Sequence, residues 1–395
     1  MINEKSMKNI FVLLGFVLLA GFSYNSAFSQ EIGLATFQET AQVIIDKSIS
    51  QDISASITLQ STSIQEIKIP AELEQKIREN SRVNAVILTN EDQCVLGVVD
   101  QACIMINIER SQESQGIVEI QETAKEIAST YIDEINDAFD TDAKFFQVYV
   151  HTDDQSNRVL DTSGIVSGRG VISAVYTMPM EDTSSMYEKI TAITIPKAIR
   201  DAGGFYDIAK KMSQEDNSKI TLSIIPLESK SLMQLKLATS YPDIASDITN
   251  VSPLEFLKVD KIKRSDYFST GFYPLNSLIQ VVVLSPEDTE ISKVKGNIIP
   301  TEFIDGEKLP TDITKQGWVF DPDQGQRIQG KYIFGEESEV EKSKLEFSLG
   351  DEQDNNITPP PQDNTDADES LVVVAIITVV AVGAAIFYLK GYARK

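Results

Sequence analysis

The chain has 395 residues, with 59 Asp and Glu against 35 Lys and Arg, a net charge of −24 and a single His. A surface this acidic repels phosphate backbones and anionic lipid heads, which argues against nucleic acid as a partner. One His and two Cys are too few for the usual zinc or redox centres, which gather those residues at short spacings.

At the N-terminus Lys5 and Lys8 precede the apolar run from Ile10 to Phe22, and Ala27 and Ser29 stand just before Gln30. A basic n-region, a short apolar h-region and a small-x-small site predict a signal peptide over 1–29, with an uncleaved anchor as the alternative. Some 340 residues then separate this segment from a second apolar run, more than one core usually organises. Two domains are expected, giving an α+β class: an α+β ectodomain over 30–195 and a β-rich, sandwich-like domain over 196–350.

In the first of these, Thr36-Phe-Gln-Glu39 reads as a capping box, and Phe37, Ala41, Ile44 and Ile45 follow at helical spacing, so a first helix is expected there. Alternation predicts strands at SASITLQSTS, VNAVILT and CIMINIER, and Pro70 opens a short helix. Cys94 and Cys103 sit close together in CVLGVVDQAC. In an oxidising compartment they are expected to form a disulfide, whose small loop restricts the unfolded chain by about 2.5 to 3 kcal/mol.

The clearest helix runs from about Gly116 to Phe139, with Ile117, Ile120, Ala124, Ile127, Tyr131, Ile135 and Ala138 on one side and Glu119, Glu122, Glu126, Asp133 and Asp137 on the other. KFFQVYVHT returns as a strand, and GIVSGRGVISAVYTMP follows as β structure interrupted by glycines. From Pro196 to Met212 a helical stretch is broken or bent at Gly203-Gly204. Beyond it short strands separated by Pro, Gly and Asp dominate, among them ITLSIIP, LMQLKLATSY, LIQVVVLSP, GWVFDP, RIQGKYIFG and KLEFSL.

Residues 351–370 hold Pro359-Pro360-Pro361 and seven acids with no base, the composition of an extended, disordered acidic stalk. Leu371 to Leu389 is uncharged on every face, spans about 28 Å at the helical rise, and meets Lys390, Arg394 and Lys395. It is expected to be a transmembrane helix with 390–395 as a cytoplasmic tail, by the excess of Lys and Arg on the cytoplasmic side.

Candidate chemistry is thin. His151, beside Asp153 and Asp154, stands at a strand end and faces solvent by the strand alternation, and the sequence supplies no geometry with a nucleophile, which acid-base work would require. Ser163 to Gly170 fits neither G-x-S-x-G nor a phosphate loop, because a strand follows the glycines. Asp321-Pro-Asp323-Gln-Gly325 places carboxylates at alternate positions before a glycine, so Asp321 and Asp323 are the candidate calcium ligands, although a full twelve-residue calcium loop is absent. No other cofactor is indicated. Asn250 and Asn356 head N-x-[ST] sequons, each followed by proline.

The expected function is that of a single-pass type I protein of the cell membrane, its acidic ectodomain outside the cytoplasm. Its expected role is non-catalytic binding of a protein partner, or envelope structure. A membrane-anchored hydrolase using carboxylates or a bound metal is the alternative, and an accessory subunit of a membrane complex is a third.

Overall fold

The computed structural model describes residues 37–62, 82–91, 101–110, 115–152, 165–166, 170–226, 231–264, 277–286, 289–304, 307–310, 315–321, 326–334 and 339–350. The signal, stalk and anchor segments lie outside them. Among the described residues no helix is long and apolar enough to cross a membrane.

In chain order the strands of the first half are β1 (Phe37–Asp46), β2 (Ile53–Thr62), β3 (Val83–Thr89), β4 (Gln101–Arg110), β5 (Gln115–Gly116), β6 (Lys144–Thr152), β7 (Ile165–Val166) and β8 (Gly170–Pro179). Helix α1 (Ile117–Phe139) precedes β6. After β8 come α2 (Thr183–Thr194), α3 (Lys197–Ala202) and α4 (Phe205–Met212), then β9 (Ser218–Pro226), β10 (Ser231–Tyr241), β11 (Asn250–Val251) and α5 (Pro253–Phe256). The remainder is β12 (Lys261–Lys263), β13 (Ser277–Leu284), β14 (Ile291–Lys295), β15 (Thr301–Ile304), β16 (Glu307–Pro310), β17 (Gly317–Asp321), β18 (Arg327–Ile333), β19 (Glu339–Glu341) and β20 (Glu346–Leu349).

The fold is mixed and strand-rich, built on one eleven-stranded sheet in the order β17-β18-β13-β1-β2-β10-β9-β3-β4-β8-β6. Only β1 and β13 pair in parallel; the other neighbours in this sheet run antiparallel. The hairpin β9-β10 is inserted between β2 and β3, and β13, β18 and β17 extend the sheet beyond β1. Strands from 196–350, where a separate sandwich was expected, are thus partly hydrogen-bonded into the same sheet as those of 30–195.

Alternation along each strand sends one set of side chains to a helix-packed face. Ala41, Val43 and Ile45 of β1, Ile53, Ile57 and Leu59 of β2, and Leu235 and Leu237 of β10 are almost completely buried there. They form one continuous core with Ile120, Ala124 and Ile135 of α1, Tyr187 and Ile190 of α2 and Phe205 and Ile208 of α4. On the opposite face the same central strands carry Gln38, Thr40, Gln42, Ser56, Thr58, Gln60, Gln234 and Lys236, with Gln42 Nε2 donating to Gln280 Oε1 at 3.2 Å. One apolar face and one polar face are what alternating antiparallel strands encode.

The expected helix at 36–45 is a correction. From Phe37 on that segment is β1, and the most deeply buried residues in it are Phe37, Glu39, Ala41, Val43 and Ile45, a period of two. The run Val43-Ile44-Ile45 is β-branched, which suits a pleated strand better than a helix. Glu39, read as the far half of a capping box, instead lies buried and accepts a 2.6 Å hydrogen bond from Ser277 Oγ of β13. A T-x-x-E match is a local pattern that pairing with two neighbouring strands overrides.

The turn from β1 to β2 is organised by Asp46. Its Oδ1 accepts from the Ser48 amide at 2.9 Å, the Ser48 hydroxyl at 2.8 Å and the Ile49 amide at 2.9 Å, and its Oδ2 accepts from the Ser50 amide and hydroxyl. Burial by itself would raise this carboxyl, but the hydrogen bonds from Ile49, Ser48 and Ser50 outweigh it and hold the group below the ordinary carboxylate range. A depressed acid contributes stability above its unfolded pKa and loses it as pH falls through the folded one. Asp46→Asn is therefore expected to cost about 1 to 3 kcal/mol at pH 7, since one amide oxygen cannot take over all the bonds. The gap between wild type and variant should narrow below about pH 4. Urea melts at pH 7 and pH 3 check this; a gap that does not narrow on acidification would refute the ionised role.

Candidate functional site

The two ends of the large sheet are treated differently. At β17 the outer edge is bridged at one residue: the Trp318 amide donates to the Asn297 carbonyl at 2.7 Å, and the Ile299 amide donates to the Trp318 carbonyl at 2.8 Å. At β6 the order ends, and among the described residues nothing pairs with the outer edge. An open edge presents a row of backbone donors and acceptors, which proteins usually guard with charges, prolines or very short strands. β6 is nine residues long, KFFQVYVHT, with one Lys at its first position and no Pro.

The sequence sets up this edge through α1. The helix ends with Asp140 in the left-handed conformation, φ 50° and ψ 55°, its amide donating to the Asn136 carbonyl. Asn136 Oδ1 then accepts from the Thr141 hydroxyl at 2.8 Å and the Ala143 amide at 3.0 Å, and its Nδ2 donates to the Ala143 carbonyl. One side chain thus ties the four-residue link, 140–143, that turns the chain from α1 into β6. The helix lays Ile120, Ala124, Tyr131 and Ile135 on the core and leaves Glu119, Glu122, Glu126, Asp133 and Asp137 in solvent, as its pattern predicts.

β6 pairs with β8 through a bulge: Phe145 is opposite Tyr176 and Gln147 opposite Val175, so Phe146 is the extra residue. Phe145 is 38% exposed and Phe146 41% exposed. Phe145 meets Tyr176 edge-on at 5.7 Å and lies under the Lys125 ammonium at 4.5 Å. Farther along, Val148 and Val150 turn into the core, while Tyr149 packs on the opposite face beside the buried pair Cys103 and Val175. The surroundings are acidic: Asp140 and Asp142 join the helix acids, with Lys144 3.2 Å from Asp142 and Lys189 3.6 Å from Asp140. Asp133 helps hold the Tyr176 phenol above its ordinary range, after burial as the larger cause.

No protein-family model matches this chain, and no curated protein matches it. Its functional reading rests on its own residues.

The candidates from the sequence are not gathered into one site. His151 stands near the far end of β6 opposite Val171, while Asp321 ends β17 opposite Gln329, at the other end of the sheet. Asp323, Cys94 and Asn356 lie outside the described residues. Among those residues, no three His, Cys, Asp or Glu are grouped so as to hold a metal ion. Asn250 is exposed on β11 and accepts from the Ser348 hydroxyl at 2.7 Å, while Ser252 of the same sequon is buried. Lys236, central on the polar face between Thr58 and Thr221 in the register, has its ammonium pushed down to about 8 by burial, with Glu91 opposing.

Phe145 and Phe146 did not stand out in the sequence as functional residues. The signal available was two adjacent Phe at the head of a strand, a break in alternation that fits a bulge. That the strand is an edge strand is not written in it.

Proposed function

We propose that this protein is a single-pass membrane protein whose acidic ectodomain lies outside the cytoplasm and binds a protein partner without catalysing a reaction, in or at the cell envelope. The observation that carries it is the uncharged run from Leu371 to Leu389 closed by Lys390, Arg394 and Lys395, with a secretory pattern at the opposite terminus. The acidic segment 351–370 serves as the stalk, and Cys94–Cys103 as a local disulfide in an oxidising compartment. The binding role draws support from the outer edge of β6, unpaired among the described residues, and its two exposed Phe residues.

Protease added to intact cells is expected to remove the ectodomain and leave a short C-terminal fragment with the membrane. Full protection would overturn the topology. Metal analysis of the purified protein separates binding from catalysis: stoichiometric metal with chelator-sensitive hydrolysis would replace the binding role with the hydrolase reading.

A further inference from the structure

We infer that the polar face of the large sheet is a binding site for a glycan that carries carboxylates, with Lys236 as the group that meets their charge. This face is distinct from the edge of β6, and the inference does not rest on the protein-binding reading. Register sets Thr40, Thr58, Lys236 and Thr221 side by side across β1, β2, β10 and β9. The rows on either side carry amides and hydroxyls such as Gln60, Gln234 and Ser56, and Ala238 is the only apolar position in the three rows. Thr58, Gln60, Gln234 and Lys236 all keep part of their surface in solvent.

Charge and hydrogen bonding select the occupant. In a chain of net charge −24, these rows hold Lys236 and Lys219 and no acid. Among the described residues no carboxylate comes within ion-pair distance of Lys236; Glu91 acts on it from farther away and accepts instead from the Thr221 hydroxyl at 3.1 Å. An ammonium taken partly out of water without a counter-ion gains strongly from a carboxylate that a ligand brings. The amides and hydroxyls around it both donate and accept, as sugar hydroxyls do. A protein partner would need the buried aromatic or aliphatic anchors that these rows lack. Two copies docked face to face would set lysine against lysine.

The test uses the full-length protein in detergent micelles and three probes: an oligogalacturonate, its methyl ester and an oligoglutamate peptide. The ester keeps the hydroxyls without the charge, and the peptide keeps the charge without the hydroxyls. Binding is read at pH 7, where Lys236 remains charged although burial has pushed its ammonium down to about 8. The oligogalacturonate is expected to bind, and the other two at least ~10-fold less tightly, a difference of about 1.4 kcal/mol. Lys236→Gln should bring the oligogalacturonate down to the level of the ester without lowering the urea midpoint, because the charge it removes is partly desolvated and unpaired. Thr58→Val, nearly equal in shape, should weaken both sugars about five-fold.

Binding by none of the probes, equal binding of acid and ester, or no effect of Lys236→Gln overturns the inference. So does oligoglutamate binding as tightly as the sugar, because it gives the face to an acidic protein segment. A ~10-fold gain in sugar affinity on deleting 351–370 also overturns it, since the seven acids of that segment would then be the occupant. Each of these results leaves the topology intact, since that is decided by protease on cells.

Discussion

Trp318→Ala is expected to destabilise the protein by about 3 to 5 kcal/mol, in the upper range for truncating a buried aromatic residue. Trp318 has no exposed surface and sits at the centre of an aromatic cluster that ties the far end of the sheet to β20. Its ring stacks on Phe320 at 5.4 Å, with 16° between planes, and meets Tyr332 and Phe347 edge-on at 5.3 Å and 5.5 Å. Tyr332 passes the contact to Phe334, which packs 6.0 Å from Phe205 of α4. The indole Nε1 donates to the Lys295 carbonyl at 3.2 Å, so removal also leaves that carbonyl, at the end of β14, without its indole donor.

The cluster depends on Gly330 as well. A Cβ there would lie 2.8 Å from the Phe320 ring and 3.3 Å from the indole, so the stacked pair occupies the room that a side chain on β18 would need. Trp318→Phe keeps an apolar ring and loses the hydrogen bond and part of the stack, and a cost nearer 1 to 2 kcal/mol is expected. Because Trp318 is the only tryptophan, unfolding of both variants must be followed by circular dichroism in urea rather than by indole fluorescence. A shift below about 1 kcal/mol for Trp318→Ala would refute the packed cluster.

Gly204→Ala carries the second large effect, above about 3 kcal/mol and large for so small a side chain. Gly204 joins α3 to α4 at φ 71° and ψ −125°, a conformation essentially confined to glycine. An added Cβ would also stand 2.3 Å from the Lys263 carbonyl, a backbone atom of β12 that cannot swing aside. Gly203 is an internal control. Its φ is 73°, but the nearest obstacle, at 2.5 Å, is the Asp207 carboxylate, the end of a movable side chain. Both Ala variants should be destabilised, with Gly204→Ala clearly the worse in urea midpoint. Equal losses would mean that backbone strain alone sets the cost and that the approach to β12 contributes nothing.

The elements whose patterns are local were legible. The heptad-like face of α1, the alternation of β4, β8, β9 and β10, and the break at Gly203-Gly204 follow from side-chain period and glycine placement alone. β1 was not, because Phe37, Ala41, Ile44 and Ile45 satisfy a helical period as readily as Phe37, Glu39, Ala41, Val43 and Ile45 satisfy a strand. The tie was broken by pairing to Ser277–Leu284, some 240 residues away. The candidate site divides the same way: KFFQVYVHT reads as a strand, but nothing in its nine residues says that it comes last among the described strands of the sheet.

By itself the sequence determined the two hydrophobic segments, the acidic excess, the solvated acid face of α1 and most strand positions, since each depends only on residues a few places apart. Tertiary structure alone decided that strands from both halves share one sheet, that β17 is bridged at Trp318 and that among the described residues β6 ends the sheet. Hydrogen bonding between strands is blind to sequence separation, and a strand's residues encode which of its faces is buried but not which strand, if any, lies beside it.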